Sequence, residues 1–158
     1  MLSAPTRPCA PASDPLLLSL PELLDLARSS DLRMPESSRT LHLPVLSDLG
    51  RAMGQYWFVA LISRPQPDGP LQLHGYLQLW RPYDGDWLRW DCIHVDTSYR
   101  RQQLAKKLVN KMTQELTSHP LLRGRTLRLG WVRATSTKGW DQWLYRYLAN
   151  QRVSWQQA

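Results

Sequence analysis

Cysteine is scarce in this sequence, and so is anything long enough to cross a membrane. Of 158 residues only two are cysteine, Cys9 and Cys92, far apart and without C-x-x-C spacing. That excludes a disulfide framework and a cysteine-built zinc site, and it points to a reducing compartment. No apolar run approaches the roughly 20 residues of a membrane span. The "LLLSL" at 16–20 is too short for a signal-peptide core and lacks a basic head directly before it, so a cytoplasmic setting is expected. Acid is also in short supply, with 13 Asp and Glu against 20 Lys and Arg, for a net charge of +7. Sixteen of the twenty basic residues are arginine. That bias suits flat, bidentate contacts to phosphate or carboxylate. No internal repeat is seen, and no spacing of ligands calls for a metal.

What is present is apolar and aromatic. Eight tryptophans and a hydrophobic content of 42% argue for one domain with a packed interior. Residues 1–15 hold four prolines and little that packs, and read as a tail; residues 16–158 read as the domain. "SLPELLDLARSS" predicts a helix, because Ser19 and Glu22 have capping-box spacing and Pro21 falls in the first turn, where no amide donor is missed. Leu20, Leu23, Leu24 and Ala27 form its apolar stripe. Residues 30–44 read as a loop, and "VLSDLGRAMG" as a short helix or turn ending at Gly54.

Three strands follow. "QYWFVALIS" (55–63) is aromatic and β-branched, and "RPQPDG" then reads as a hairpin turn. "LQLHGYLQLW" (71–80) alternates, with Leu71, Leu73, Gly75, Leu77 and Leu79 on one face. "WLRWDCIHV" (87–95) is the third. Their connections are too short for crossovers, so they form an antiparallel meander. A helix is predicted from about 98 to 118, with Leu104, Leu108, Met112 and Leu116 inward and Pro120 stopping it. Asp96, Thr97 or Ser98 would cap it. The strand at 126–134 is reached across that helix and should run parallel to the third. A last helix, "GWDQWLYRYLANQ", turns Trp140, Trp143, Leu144, Tyr147 and Leu148 inward. The fold class is therefore α+β, a single domain with a mixed central sheet flanked by helices.

The segment "VDTSYRRQQLAKKLV" (95–109) runs from a strand into a helix head crowded with Arg100, Arg101, Lys106 and Lys107. A helix start offers unpaired amides and a positive dipole end, a seat for phosphate, unless the cluster is merely a solvated face. Val95, Tyr99, Arg100, Ala105 and Leu108 resemble the coenzyme-A signature of the GNAT acyltransferase superfamily, V-x-P-x-Y-R followed by R/Q-x-x-G-x-G/A. Arg100 takes the R/Q position and Ala105 the last small position. Gln103 stands where the family has glycine, and Thr97 where proline is common. "LYRYLAN" resembles the family's "lYeklGF" and places Tyr145 at its thiolate-protonating tyrosine. The chain ends soon after that helix, so the usual closing strand pair is expected to be short or absent.

The resemblance spans about residues 55–150. It implies a GNAT-like fold and an acyl-CoA, or an acyl carrier protein, as donor to an amine on a small molecule or a protein lysine. Arg100, Arg101 and Gln103 would form the anion site. Backbone amides of Ile93 and Val95 would hold pantetheine and the oxyanion, and Tyr145 would be the general acid. Asp91 or His94 would handle the amine proton, unless His94 is a buried, hydrogen-bonded structural histidine. Strict alternation puts Asp91 and His94 on opposite strand faces, so they cannot form one dyad, and groups Trp90 and Cys92 with His94. Cys92 lacks a supporting base and reads as a core residue.

A second resemblance, to the RTX toxin-activating lysine acyltransferases of the same fold, rests on Gln55-Tyr56, Gly75-Tyr76, Gly85-Asp86, Asp91 and Ile93. It implies a fatty acyl donor on acyl carrier protein and an essential histidine before the first strand, where this sequence has His42 out of register. The remaining alternative is a GNAT-like scaffold without activity, binding a protein or nucleic acid. A homodimer is left open, and nucleic acid is the minor alternative because no nucleic-acid motif is present.

Overall fold

In a computed structural model of the chain, which describes residues 14–29, 48–64, 66–95, 103–129 and 140–157, the apolar segments assemble one mixed sheet. Its strands lie in sequence order: β1 (Leu16–Ser19), β2 (Gly54–Ser63), β3 (Gln72–Pro82), β4 (Trp87–Val95), β5 (Thr126–Leu129) and β6 (Trp155–Gln157). Strands β1 to β4 are antiparallel neighbours, whereas β4–β5 and β5–β6 are parallel. The parallel pair β4–β5 is joined through α3 (Leu104–Ser118), as the crossover argument requires. The other helices are α1 (Leu20–Ser29), α2 (Asp48–Met53) and α4 (Trp140–Ala149). The architecture is α+β, a mixed sheet with helices against it. The tail at 1–13 and the loop at 30–44 lie outside the described residues.

α1 starts where its sequence dictates. The Ser19 amide donates to Glu22 Oε1 at 3.0 Å and the Glu22 amide to Ser19 Oγ at 3.3 Å, a reciprocal capping box. Immediately before it lies β1, which the sequence reading missed. Its four residues pair along the edge of β2, Leu16 opposite Ala60 and Ser19 opposite Trp57. A strand this short carries no readable alternation, and Leu16 at its end is half exposed.

Two apolar layers sandwich the sheet. On one face α3 sets Leu104, Leu108, Met112 and Leu116 against Leu77, Leu79, Leu88 and Trp90, joined by Leu144 and Leu148 of α4. The inward stripe of α3 is thus as its four-residue period predicts. On the other face Leu23 of α1 packs with Tyr56, Phe58, Tyr76 and Trp80. Leu108 is wholly buried, and truncating such a leucine to alanine costs about 2–5 kcal/mol.

Two expectations fail where the chain departs from regular geometry. The register of β3 against β2 shifts between Leu61 and Ile62, leaving His74 as an extra residue. Leu71 and Leu73 therefore join the α1 face, while Leu77 and Leu79 face α3; the five-residue stripe expected along β3 is broken by a bulge. The second departure is at α3, which begins at Leu104 rather than near residue 98. Gln103, and not Asp96, Thr97 or Ser98, occupies the cap position, with φ 58° and ψ 29°. Those angles are left-handed, so a right-handed helix cannot continue through them. Strand β5 is described from Thr126 to Leu129 only, and the rest of the expected 126–134 strand lies outside the described residues.

Candidate active site

The second bulge of the sheet decides how the candidate site is built. Gln78 of β3 pairs with Cys92 and Leu79 with Trp90, so Asp91 is one residue too many on β4. Before the bulge, Trp90 turns toward α3. After it, Ile93 and Val95 pack on that same side, whereas Cys92 packs on the α1 side. The phase of the strand has slipped by one.

Asp91 lies on the α1 side as well, because the Nε2 of Gln78 donates to its Oδ2 at 3.0 Å. Arg89 donates to the same carboxylate, from Nε to Oδ1 and from Nη2 to Oδ2, the latter at 3.3 Å. His94 shares this face, its ring 5.8 Å from that of Tyr76. Asp91, Cys92 and His94 are thus gathered on one face. The expected separation of Asp91 from His94 is overturned, and so is the grouping of Trp90 with Cys92 and His94. Alternation fails here because it assumes an unbroken pleat.

The electrostatics follow from this packing. Burial opposes the charge on Arg89, but the hydrogen bond and charge of Asp91, with a smaller contribution from Tyr56, outweigh it and raise its pKa above the ordinary value. The Arg89 guanidinium also lies over the Trp80 ring, 4.6 Å from the centroid, a second support for a cation. Burial, and after it the charge of Asp91, push the Cys92 thiol up to about 11; a hydrogen bond from Tyr76 and a backbone bond with Gln78 work against the shift. At neutral pH Cys92 is a thiol, which is a poor nucleophile. Its reading as a small core residue fits.

Gly75 is required by the close approach of β3 to the end of β4. A Cβ there would lie 2.9 Å from the His94 carbonyl oxygen and 3.4 Å from Val95. Any side chain would push β4 away and displace His94 and Val95 together.

Past the bulge, the described pairing of β4 with β5 stops at Trp90–Leu129. Ile93 is half-buried, Val95 is buried, and both contact the α3-side core. Ala105 sits in the first turn of α3, half-buried against the same core. No acidic residue stands in that turn, so nothing there competes with an anion for the amides and the dipole end. Gln103, at the family's glycine position, holds the left-handed backbone that glycine adopts without strain. These features fit a phosphate-bearing donor at the head of α3. Arg100, Arg101 and His42 lie outside the described residues.

On α4 two tyrosines are differently employed. Tyr147 donates to Asn110 Oδ1 at 2.8 Å and its hydroxyl lies 3.3 Å from Thr113 Oγ1, tying α4 to α3. The Tyr145 ring is half-buried and stacks on Trp155 of β6, centroids 5.5 Å apart and planes 12° apart. No described residue is hydrogen-bonded to the Tyr145 hydroxyl. Packing takes its ring, so Tyr145 is not wholly off the inward side of the helix. The side chain of Trp140 lies outside the described residues.

Among the described residues, no three His, Cys, Asp or Glu side chains gather as a metal site would need, and no helix is long and apolar enough to cross a membrane. The sequence model of the acetyltransferase (GNAT) family matches residues 25–137. The chain belongs to that family, whose chemistry is acyl transfer from a thioester donor to an amine. No curated protein and no solved structure matches it.

Proposed function

We propose that this chain is a cytoplasmic N-acyltransferase, a single domain over residues 16–158, whose reaction takes place beside the second half of β4. The observation that carries this reading is the bulge at Asp91, which brings Asp91, Cys92 and His94 to one face of the strand that leads to the donor motif. Acyl transfer to an amine needs the two reactants held together, the ammonium proton removed, the carbonyl polarised and the departing sulfur protonated. Both oxygens of Asp91 are engaged by Arg89 and Gln78. His94 is therefore the better base for the amine, with Asp91 fixing the strand beside it.

A bound acyl-CoA supplies the activated acyl group. The amides of Ile93 and Val95 line its path along β4, and the first turn of α3, with Gln103 and Ala105, meets its phosphates. Arg100 and Arg101 precede that turn in the chain and add positive charge. Tyr145 gives its proton to the departing thiolate, a role that suits a hydroxyl with no described hydrogen-bond partner.

Acyl carrier protein, as in the toxin-activating lysine acyltransferases, is the second reading of the donor. Gln103 favours it, since a side chain replaces the glycine that lets a pyrophosphate approach the backbone. A thermal-shift panel of coenzyme A, acetyl-CoA, long-chain acyl-CoA and acyl carrier protein tests both readings, because a bound donor raises the melting temperature by mass action. Stabilisation by one of them supports the enzyme and names its donor. No shift from any of the four would leave the non-catalytic scaffold.

A further inference from the structure

The sheet has a concave feature at the end opposite the donor motif. β2 runs parallel to β4, since each is antiparallel to β3. Gly54 and Trp57 therefore lie where β4 begins, and the donor motif where β4 ends, some 25 Å away at about 3.3 Å per strand residue. α3 runs back along the sheet and returns Leu121 to the β4-start end. There a cavity of about 380 Å³ is lined by Leu20, Tyr56, Trp57, Tyr83 and Leu121, with Arg51 as its charged residue. Of the large apolar residues that are exposed, Leu49, Met53, Tyr83 and Leu121 belong to this end. A space of this size with apolar walls and few polar groups is what small-molecule sites look like.

Two further arginines stand beside it. Arg81 and Arg125 both donate from Nε to the Leu121 carbonyl, at 3.1 and 3.0 Å. Arg81 also donates to Oε1 of Gln55, a wall residue, at 3.1 Å. Neither guanidinium has a carboxylate within ion-pair distance among the described residues. Burial, and then the charge of Arg81, lower the pKa of Arg125, with Asp86 opposing in part. An anion at the mouth would relieve that crowding, and the apolar walls would take the rest of the molecule.

We infer that this cavity binds a small amphiphilic carboxylate, with its hydrocarbon between Leu20, Tyr83 and Leu121 and its anionic end toward Arg51 and Arg81. The site is separate from the acyl-transfer site and does not rest on that reading. The free acid is the ligand, because an acyl chain in thioester linkage carries no charge at its carbonyl end.

Calorimetric titration of the full chain with octanoate, octan-1-ol and octylamine tests the inference. Octanoate is expected to saturate with one-to-one stoichiometry, with octan-1-ol at least tenfold weaker and octylamine not binding. Arg51→Gln should weaken octanoate about tenfold, the worth of one charge-assisted contact. Leu121→Trp should abolish binding by filling the cavity; Leu121 is partly exposed, and a melting curve confirms that the variant folds. Added coenzyme A should leave the octanoate affinity unchanged. Three outcomes overturn the inference: no saturable octanoate binding, equal binding of octan-1-ol, or displacement by coenzyme A with both variants binding as wild type. Coenzyme A binding is measured on its own in the same experiment, so failure at the donor site is seen separately.

Discussion

Gln78 on β3 reaches Asp91 on β4, Nε2 to Oδ2 at 3.0 Å, although its register partner is Cys92. The contact exists because β4 carries one extra residue at that point, and it turns a strand of alternating faces into one that gathers two candidate site residues, Asp91 and His94. Arg89 completes the arrangement from two residues upstream. Arg89→Ala should leave a half-buried carboxylate with only Gln78 to satisfy it. A loss of about 1–3 kcal/mol is expected, read from the midpoint of urea unfolding, and Arg89→Lys should recover part of it. If Arg89→Ala unfolds at the wild-type midpoint, the pair is a solvent-screened contact and does not fix the bulge.

Cys92 gives the bulge a pH signature. Its folded pKa is about 11 against an ordinary 9.0. A proton held more tightly in the folded state stabilises it fully below the unfolded value, and this contribution is lost as pH rises toward the folded value. Wild-type stability should therefore fall between pH 9 and 11 by about 2 kcal/mol more than that of Cys92→Ala, at about 1.36 kcal/mol per pKa unit. Denaturant unfolding at pH 8, 9, 10 and 11 in a Cys9→Ser background measures the difference. Parallel pH profiles for the two proteins would mean that the thiol is not buried as described.

Much of this arrangement was readable in advance, and what was not has a common cause. The capping box at Ser19 and Glu22, the stripe of α3 and the antiparallel order of β2 to β4 follow from spacing and linker length, which sequence displays directly. The bulges at His74 and Asp91 do not, because an inserted residue changes which partner lies opposite without changing the composition of either strand. Hence strict alternation puts Leu71 and Leu73 on the wrong face and separates Asp91 from His94. Gln103 misled for the same reason: a helical period runs through it, while its backbone is left-handed. The one available signal was the family's glycine at that position.

Gln103 therefore invites substitution. A non-glycine residue in the left-handed region costs about 1–2 kcal/mol, and glycine gives back part of this as unfolded-state entropy. Gln103→Gly should stabilise the chain by about 0.5–1 kcal/mol, seen as a higher melting temperature. If the side chain merely obstructs the turn, coenzyme A should also bind more tightly, and that is the expected result. A stabilised variant with weaker donor binding would show that the amide of Gln103 is itself a ligand.

The two tyrosines of α4 separate catalysis from packing. Tyr147 spends its hydroxyl on Asn110 and Thr113, so Tyr147→Phe should cost about 1 kcal/mol of stability and do little to turnover once folded. Tyr145 uses its ring against Trp155 and leaves its hydroxyl without a described partner. Tyr145→Phe keeps the ring stack, and its melting temperature and donor affinity should match wild type. A group that protonates the leaving thiolate acts only as the thioester breaks, so its loss lowers turnover and spares binding. General acids contribute about a hundredfold or more in rate, and a fall of at least about tenfold is expected even where water substitutes in part. The measurement is thiol release with the donor that the thermal-shift panel identifies and an amine acceptor found by screening. If Tyr145→Phe turns over at the wild-type rate while Tyr147→Phe is impaired, the acid belongs to Tyr147, and its bond to Asn110 orients a proton donor instead of tying two helices together.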